Sequence, residues 1–122
     1  MTPKRFFLLI VLVTMTSVLS ACDGDGFPDD AKGALKTAVR NLGGNTNYDI
    51  LSTEPGSGNL GNFAEAWCIV TSPIASDVGE LTHFAMSREG KIWQMRATNA
   101  SPGNYIEVIF VMWNCENYET VE

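Results

Sequence analysis

The opening of the chain decides what the remainder has to do. Lys4 and Arg5 supply positive charge, Phe6–Val13 is an unbroken apolar run, and Thr14–Ala21 is small and mixed. This charge–apolar–small order is that of a secretory signal. The 16 residues from Phe6 to Ala21 fall short of the ~20 that a membrane-spanning helix requires. An uncleaved N-terminal anchor is the alternative reading. Residues 1–21 are expected to be removed as a signal peptide, which leaves 101 of the 122 residues to fold. That suffices for one domain and excludes a two-domain enzyme. The mature stretch loses Lys4 and Arg5 and keeps all 14 acids, so its net charge is −8, against −6 for the whole chain. This balance argues against nucleic acid as a partner and against a polybasic membrane patch.

The signal ends in Leu19-Ser20-Ala21-Cys22. An aliphatic residue, two small residues and a cysteine in this position resemble the lipobox of bacterial lipoproteins. The resemblance covers residues 1–22 and implies cleavage before Cys22, a diacylglyceryl group on its sulfur and often a palmitate-type acyl chain on the new amino terminus. The implied location is the cell envelope, anchored to a membrane and facing the periplasm or the exterior. One acyl chain holds a bilayer marginally and two hold it stably, at ~0.8 kcal/mol per buried CH₂. Asp23 resembles the inner-membrane retention signal of enterobacteria-like lipoproteins. It reads equally as the first residue of a polar tether, and other bacterial groups sort by other rules.

Lipid on Cys22 leaves two cysteines, Cys68 and Cys115. In an exported chain an even remainder reads as one disulfide. A cysteine-based metal site would need more ligands than these two and the lone His83, so neither metal nor cofactor is expected beyond the lipid itself.

Residues 22–28 read as an acidic Gly/Asp tether and 29–122 as a single α+β domain. The stretch from Cys22 to Asp30 also resembles calcium loops of the form Asp-x-Asp-Gly-Asp-Gly-x-Pro-Asp-x-x-Asp. Asp23, Gly24, Asp25, Gly26, Pro28 and Asp29 match the interior. The first ligand position falls on Ala21 and the last on Lys32, which leaves three carboxylates where calcium takes ~6–8 oxygens. A solvated linker is the simpler reading.

Ala31, Ala34, Leu35, Ala38, Val39 and Leu42 form a helical series, with Asp29 as N-cap and Gly43-Gly44 as the stop. Short strands are expected at Tyr48–Ser52, Phe63–Thr71, Leu81–Arg88 and Lys91–Thr98, the last two forming a hairpin through Glu89-Gly90. Glu54–Asn62 reads as a flexible Gly-rich loop and Ser72–Asp77 as a turn around Pro73. Tyr105–Cys115, nearly continuous in apolar residues, is expected to be the longest and central strand. Helix first, then four or five antiparallel strands, is similar to the element order of cystatin-like folds, in which a sheet wraps one helix.

Candidate chemistry is sparse. By strand alternation His83 shares a face with Leu81 and Ala85, and no local carboxylate or nucleophile supports a general base. Glu65, Glu80, Glu89, Glu107 and Glu116 are spread through strands and turns and read as solvated. Glycines 56, 58 and 61 lack the Lys-Ser/Thr of a phosphate loop. Asn99-Ala100-Ser101 has the form of a glycosylation sequon and reads as a turn. Strand parity groups Trp93 with Met95, and Trp113 with Ile109, Val111 and Cys115. Arg88, Lys91 and Arg96, with Trp93, form a basic island on an acidic domain and are the candidate partner-binding residues. The expectation is a non-catalytic binding or assembly module for another envelope protein. The alternative is a lipoprotein inhibitor of a secreted or periplasmic hydrolase, acting through a protruding loop such as Glu54–Asn62.

Overall fold

The computed structural model describes residues 26–101 and 105–116. Cys22 and Asp23, the signal and most of the calcium-like stretch lie outside the described residues. The element order is α1 (Asp29–Asn41), β1 (Ile50–Pro55), β2 (Glu65–Ser76), β3 (Gly79–Glu89), β4 (Ile92–Thr98) and α2 (Tyr105–Met112). The strands form one antiparallel sheet in the order β1-β2-β3-β4. One helix covers each face, giving three layers and two cores. No helix among the described residues is long and apolar enough to cross a membrane.

The first core lies between α1 and the sheet. Ala31, Leu35 and Val39, spaced at i, i+4 and i+8, bury against Trp67, Ile69, Phe84, Met86 and Trp93. The packing begins inside the segment read as tether, since Phe27 is buried edge-on to Trp67 with ring centroids 5.4 Å apart. The helix starts one residue earlier than expected. Pro28 is the N-cap and no side chain caps it, because proline's missing N–H and fixed φ suit a helix entry. Its C-terminus is a Schellman turn: Gly43 N–H donates to Arg40 C=O and Gly44 N–H to Val39 C=O. Gly43 sits at φ 78°, and a Cβ there would collide with the Asp77 carboxylate.

The second core lies on the other face. There the sheet presents Ala66, Cys68, Ala85 and Ala97, and α2 inserts Ile106, Ile109 and Phe110, followed by Trp113. Tyr105–Cys115 is therefore not a strand. Its β-branched residues disfavour helix by only a few tenths of a kcal/mol each, and burial of an i, i+3, i+4, i+7 row outweighs that. The small side chains on this face leave the depth a helix needs.

The strands depart from the sequence reading in three places. β1 begins at Ile50 and continues through Glu54 and Pro55, which pair with Cys68 and Trp67 and so belong to the sheet and not to the loop. Pro73 is not in a turn: β2 runs through it to Ser76, and the register shifts between Val70 and Ile74. Three residues of β2 there face Thr82 alone, and a proline without an N–H is tolerated in such a bulge. The same irregularity puts Leu81 in the first core and Ala85 in the second, so strict alternation of Leu81, His83 and Ala85 fails. The β3–β4 turn is Gly90-Lys91, with Glu89 paired to Ile92.

Asn99 holds the bulge together. Its Oδ1 accepts from the backbone N–H groups of Thr82 (3.0 Å) and His83 (3.2 Å). Its Nδ2 donates to the Glu80 carbonyl, and its backbone N–H donates to the His83 carbonyl. The sequon-like asparagine is thus a structural tie. Replacing Asn99 by Ala leaves the Thr82 and His83 N–H groups without their side-chain acceptor and is expected to cost about 1–3 kcal/mol, measured by urea unfolding. Asn99→Asp keeps the acceptor, loses the donor to Glu80 and is expected to fall between.

Candidate functional site

The Cys68–Cys115 disulfide is present, with S–S 2.11 Å and Cα atoms 6.4 Å apart. Instead of joining two strands, it ties β2 to the segment after α2. A second Schellman turn aims it. Asn114 adopts φ 61°, its N–H donates to Val111 C=O, and the Cys115 N–H donates to Phe110 C=O at 2.8 Å. The chain thereby reverses and returns the cysteine to the sheet.

The glycine-rich segment after β1 caps the same helix end. Ser57 N–H donates to Trp113 C=O (2.8 Å) and Asn59 N–H to Met112 C=O (2.7 Å). These are carbonyls that a helix end leaves without an intrahelical partner. A Cβ at Gly58 would strike the Met112 carbonyl, so the approach needs glycine.

The basic island is split by the sheet. Arg88 and Trp93 face α1, the guanidinium lying 6.0 Å from the indole centroid. Arg88 also pairs with Glu65 (3.4 Å) and donates to Gly90 C=O, while the second Glu65 oxygen accepts from the Trp67 indole N–H at 2.9 Å. Arg96 lies on the opposite face, 4.4 Å from the Phe63 ring centroid. It donates to Ser87 Oγ and pairs with Glu89. Alternation along β4 from Trp93 already places Arg96 on the opposite face; the register shift between Ala85 and Met86 instead brings Ala97, two residues beyond Met95, into the second core. Both arginines are engaged within the fold. Lys91 is exposed at the hairpin tip and has no partner among the described residues.

The remaining candidates divide the same way. His83 is buried in the second core, with Nδ1 2.9 Å from Thr82 Oγ1 and its ring 5.7 Å from that of Phe110. Glu54 accepts from the Glu116 N–H at 2.9 Å. Glu107 is exposed on α2. No three His, Cys, Asp or Glu side chains group as metal ligands among the described residues.

Three surface features were not read from the sequence. The outer side of α2 exposes Tyr105, Val108, Val111 and Met112, each 40–62% accessible. Parity had grouped Val111 with buried Trp113; in the helix it points away. A cleft of about 420 Å³ between α1 and the approach to β1 is lined by Lys32, Lys36, Tyr48 and Asp49. A groove of about 490 Å³ runs between α1 and β4.

Burial raises the Tyr48 phenol above its ordinary 10.0. Above pH 10 the unfolded chain loses this proton before the folded one, so Tyr48's contribution to stability falls as pH rises through the folded value. The urea midpoint of Tyr48→Phe is expected to drop less than that of wild type between pH 8 and pH 11.

No family model, curated protein or solved structure matches this chain.

Proposed function

We propose that this chain is a lipid-anchored envelope protein acting as a non-catalytic binding or assembly module, with the outer side of α2 as a contact surface for another envelope protein. The observation that carries this reading is the row Tyr105, Val108, Val111 and Met112, exposed on a helix whose other side is buried. Contiguous exposed apolar side chains mark interaction sites. The anchor itself rests on the lipobox resemblance of residues 19–22 and the signal before it. The hydrolase-inhibitor alternative draws on the Glu54–Asn62 segment, of which Glu54 and Pro55 belong to β1 and Ser57 and Asn59 are bonded to the carbonyls that end α2. α1 on a four-stranded meander supports a cystatin-like analogy for that half of the molecule, and α2 adds a layer outside it.

The test is intact-mass analysis and site-specific photocrosslinking of the full-length chain in cells. Wild type is expected to give a lipid-bearing product starting at Cys22, and Cys22→Ala is expected to lose the lipid and the membrane fraction. A crosslinker at Val108 is expected to trap one recurrent envelope protein, and Val111→Glu to reduce that product about tenfold, as for loss of ~1.4 kcal/mol. A chain retaining Met1 without lipid sinks the anchor. Equal capture from Val108 and from exposed Val78, at the turn between β2 and β3, sinks the α2 surface.

A further inference from the structure

We propose that the cleft between α1 and the approach to β1 binds a phosphate ester that carries a primary amine, a phosphoethanolamine group. A lipid headgroup and a free ester share this chemistry. The site is separate from the outer side of α2, and the lipid as its source rests on the anchored reading above.

The cleft has two polar walls. Lys32 and Lys36, four residues apart and so on one side of α1, line the first, and Thr46, Tyr48 and Asp49 line the second. The Gly43-Gly44 stop makes this possible, because it returns the chain along the helix before β1 begins. Lys36, Thr46, Tyr48 and Asp49 make no side-chain hydrogen bond or ion pair among the described residues. Lys32 reaches the Asp29 carboxylate at 3.6 Å, in a pair with the carboxylate almost fully exposed, so this contact is weak and yields to a better anion. Phe27 and Ile50 add an apolar floor, and the volume of about 420 Å³ suits a small molecule.

Charge selects the ligand. Lys32, Lys36, Asp29 and Asp49 sum to zero, so a zwitterion matches them, whereas a purely anionic ligand would set like charge against Asp49. The two ammonium groups and the hydroxyls of Thr46 and Tyr48 supply donors for phosphate oxygens. Burial raises the Tyr48 phenol above its ordinary 10.0, which keeps it a donor at neutral pH. Asp49 accepts from the ligand's ammonium. A choline headgroup carries the same charges but has no N–H for that carboxylate.

Position selects phosphate over carboxylate. Phe27 follows Cys22 by five positions, at most about 17 Å of chain. Lipid on Cys22 would hold the cleft at the headgroup layer, where a short tether gives effective concentrations on the order of mM and weak affinity suffices. A headgroup without net charge also escapes the long-range repulsion that the acidic mature chain would meet at an anionic surface.

The test places the mature, lipid-bearing chain in nanodiscs of phosphatidylcholine and follows the Thr46, Tyr48 and Asp49 amide signals by NMR. Phosphatidylethanolamine in the discs is expected to shift all three, and phosphatidylglycerol to shift none. Lys36→Gln is expected to weaken the response about fivefold, as for loss of ~1 kcal/mol. Asp49→Asn is expected to turn the preference toward phosphatidylglycerol, a reversal that damage to the fold would not produce. Free phosphoethanolamine, titrated against discs of phosphatidylcholine alone, separates the sources: a response confined to the lipid assigns the headgroup, and saturation by the free ester assigns a soluble ligand of the same chemistry. If the anchor fails, the Cys22→Ala chain with monomeric dihexanoyl phosphatidylethanolamine tests the cleft without it, and shifts at the same amides support the site. No shift in any arm overturns the inference. So does an equal response to phosphatidylglycerol, or to the amino-acid zwitterion alanine.

Discussion

Replacing Cys68 and Cys115 together by Ala is expected to lower unfolding stability by about 4 kcal/mol, the chain-entropy value for a loop spanning 47 positions. Such a loss is a large share of the 5–15 kcal/mol typical of a domain. Alanine suits both sites, since Cys68 lies among Ala66, Ala85 and Ala97. The loss is expected to be uneven. α2 meets the sheet through one helical row and this covalent tie, whereas α1 is joined through Phe27, its own buried row and the Asp77–Leu42 backbone hydrogen bond. Urea unfolding followed by Trp113-centred and Trp67-centred fluorescence, in single-tryptophan variants, is expected to diverge in the double alanine chain and coincide in the oxidised wild type. Coincident transitions with an unchanged midpoint would show that the bond stabilises nothing.

Trp113→Ala is expected to cost about 3–5 kcal/mol, the range for removing a buried aromatic. Trp113 is fully buried and meets Phe63 edge-to-face with centroids 6.2 Å apart. Its carbonyl also receives the Ser57 N–H, so the loop before β2 depends on where this residue sits. Beyond the lower midpoint, the variant is expected to show faster amide exchange at Ser57 and Asn59 while amides of α1 keep their protection. Trp113→Phe, which fills most of the volume, is expected to recover most of the loss.

The sequence made α1 legible because its apolar residues occupy one side only. It made β2–β4 legible because turn residues separate β-branched and aromatic runs. α2 was hidden. Ile106, Ile109, Phe110 and Trp113 are helically spaced, yet Val108, Val111 and Met112 fill the opposite side, and an apolar run without contrast has no period to read. The available clue lay elsewhere, in the small residues Ala66, Cys68, Ala85 and Ala97, which demand a deep covering element. Bulges are the other blind spot. One displaced Pro73 and the His83 parity, another moved Ala97 to the face opposite Met95, and neither follows from local composition. The disulfide was legible from cysteine number alone, but its partner element was not. The groove beside β4 could not be read at all, because it depends on which strand ends the sheet.

The two cores also differ in when they can exist. A chain delivered N-terminus first has presented every residue of the α1-side core once Ala100 has emerged, and its contacts are those of one helix and three hairpins. The opposite side must wait for residues 106–115. For that interval the sheet stands half covered, its alanine face bare and Cys68 unpaired. A thiol oxidant or a chaperone acting on this protein therefore meets a folded half with one open face, and the bond to Cys115 closes the structure last.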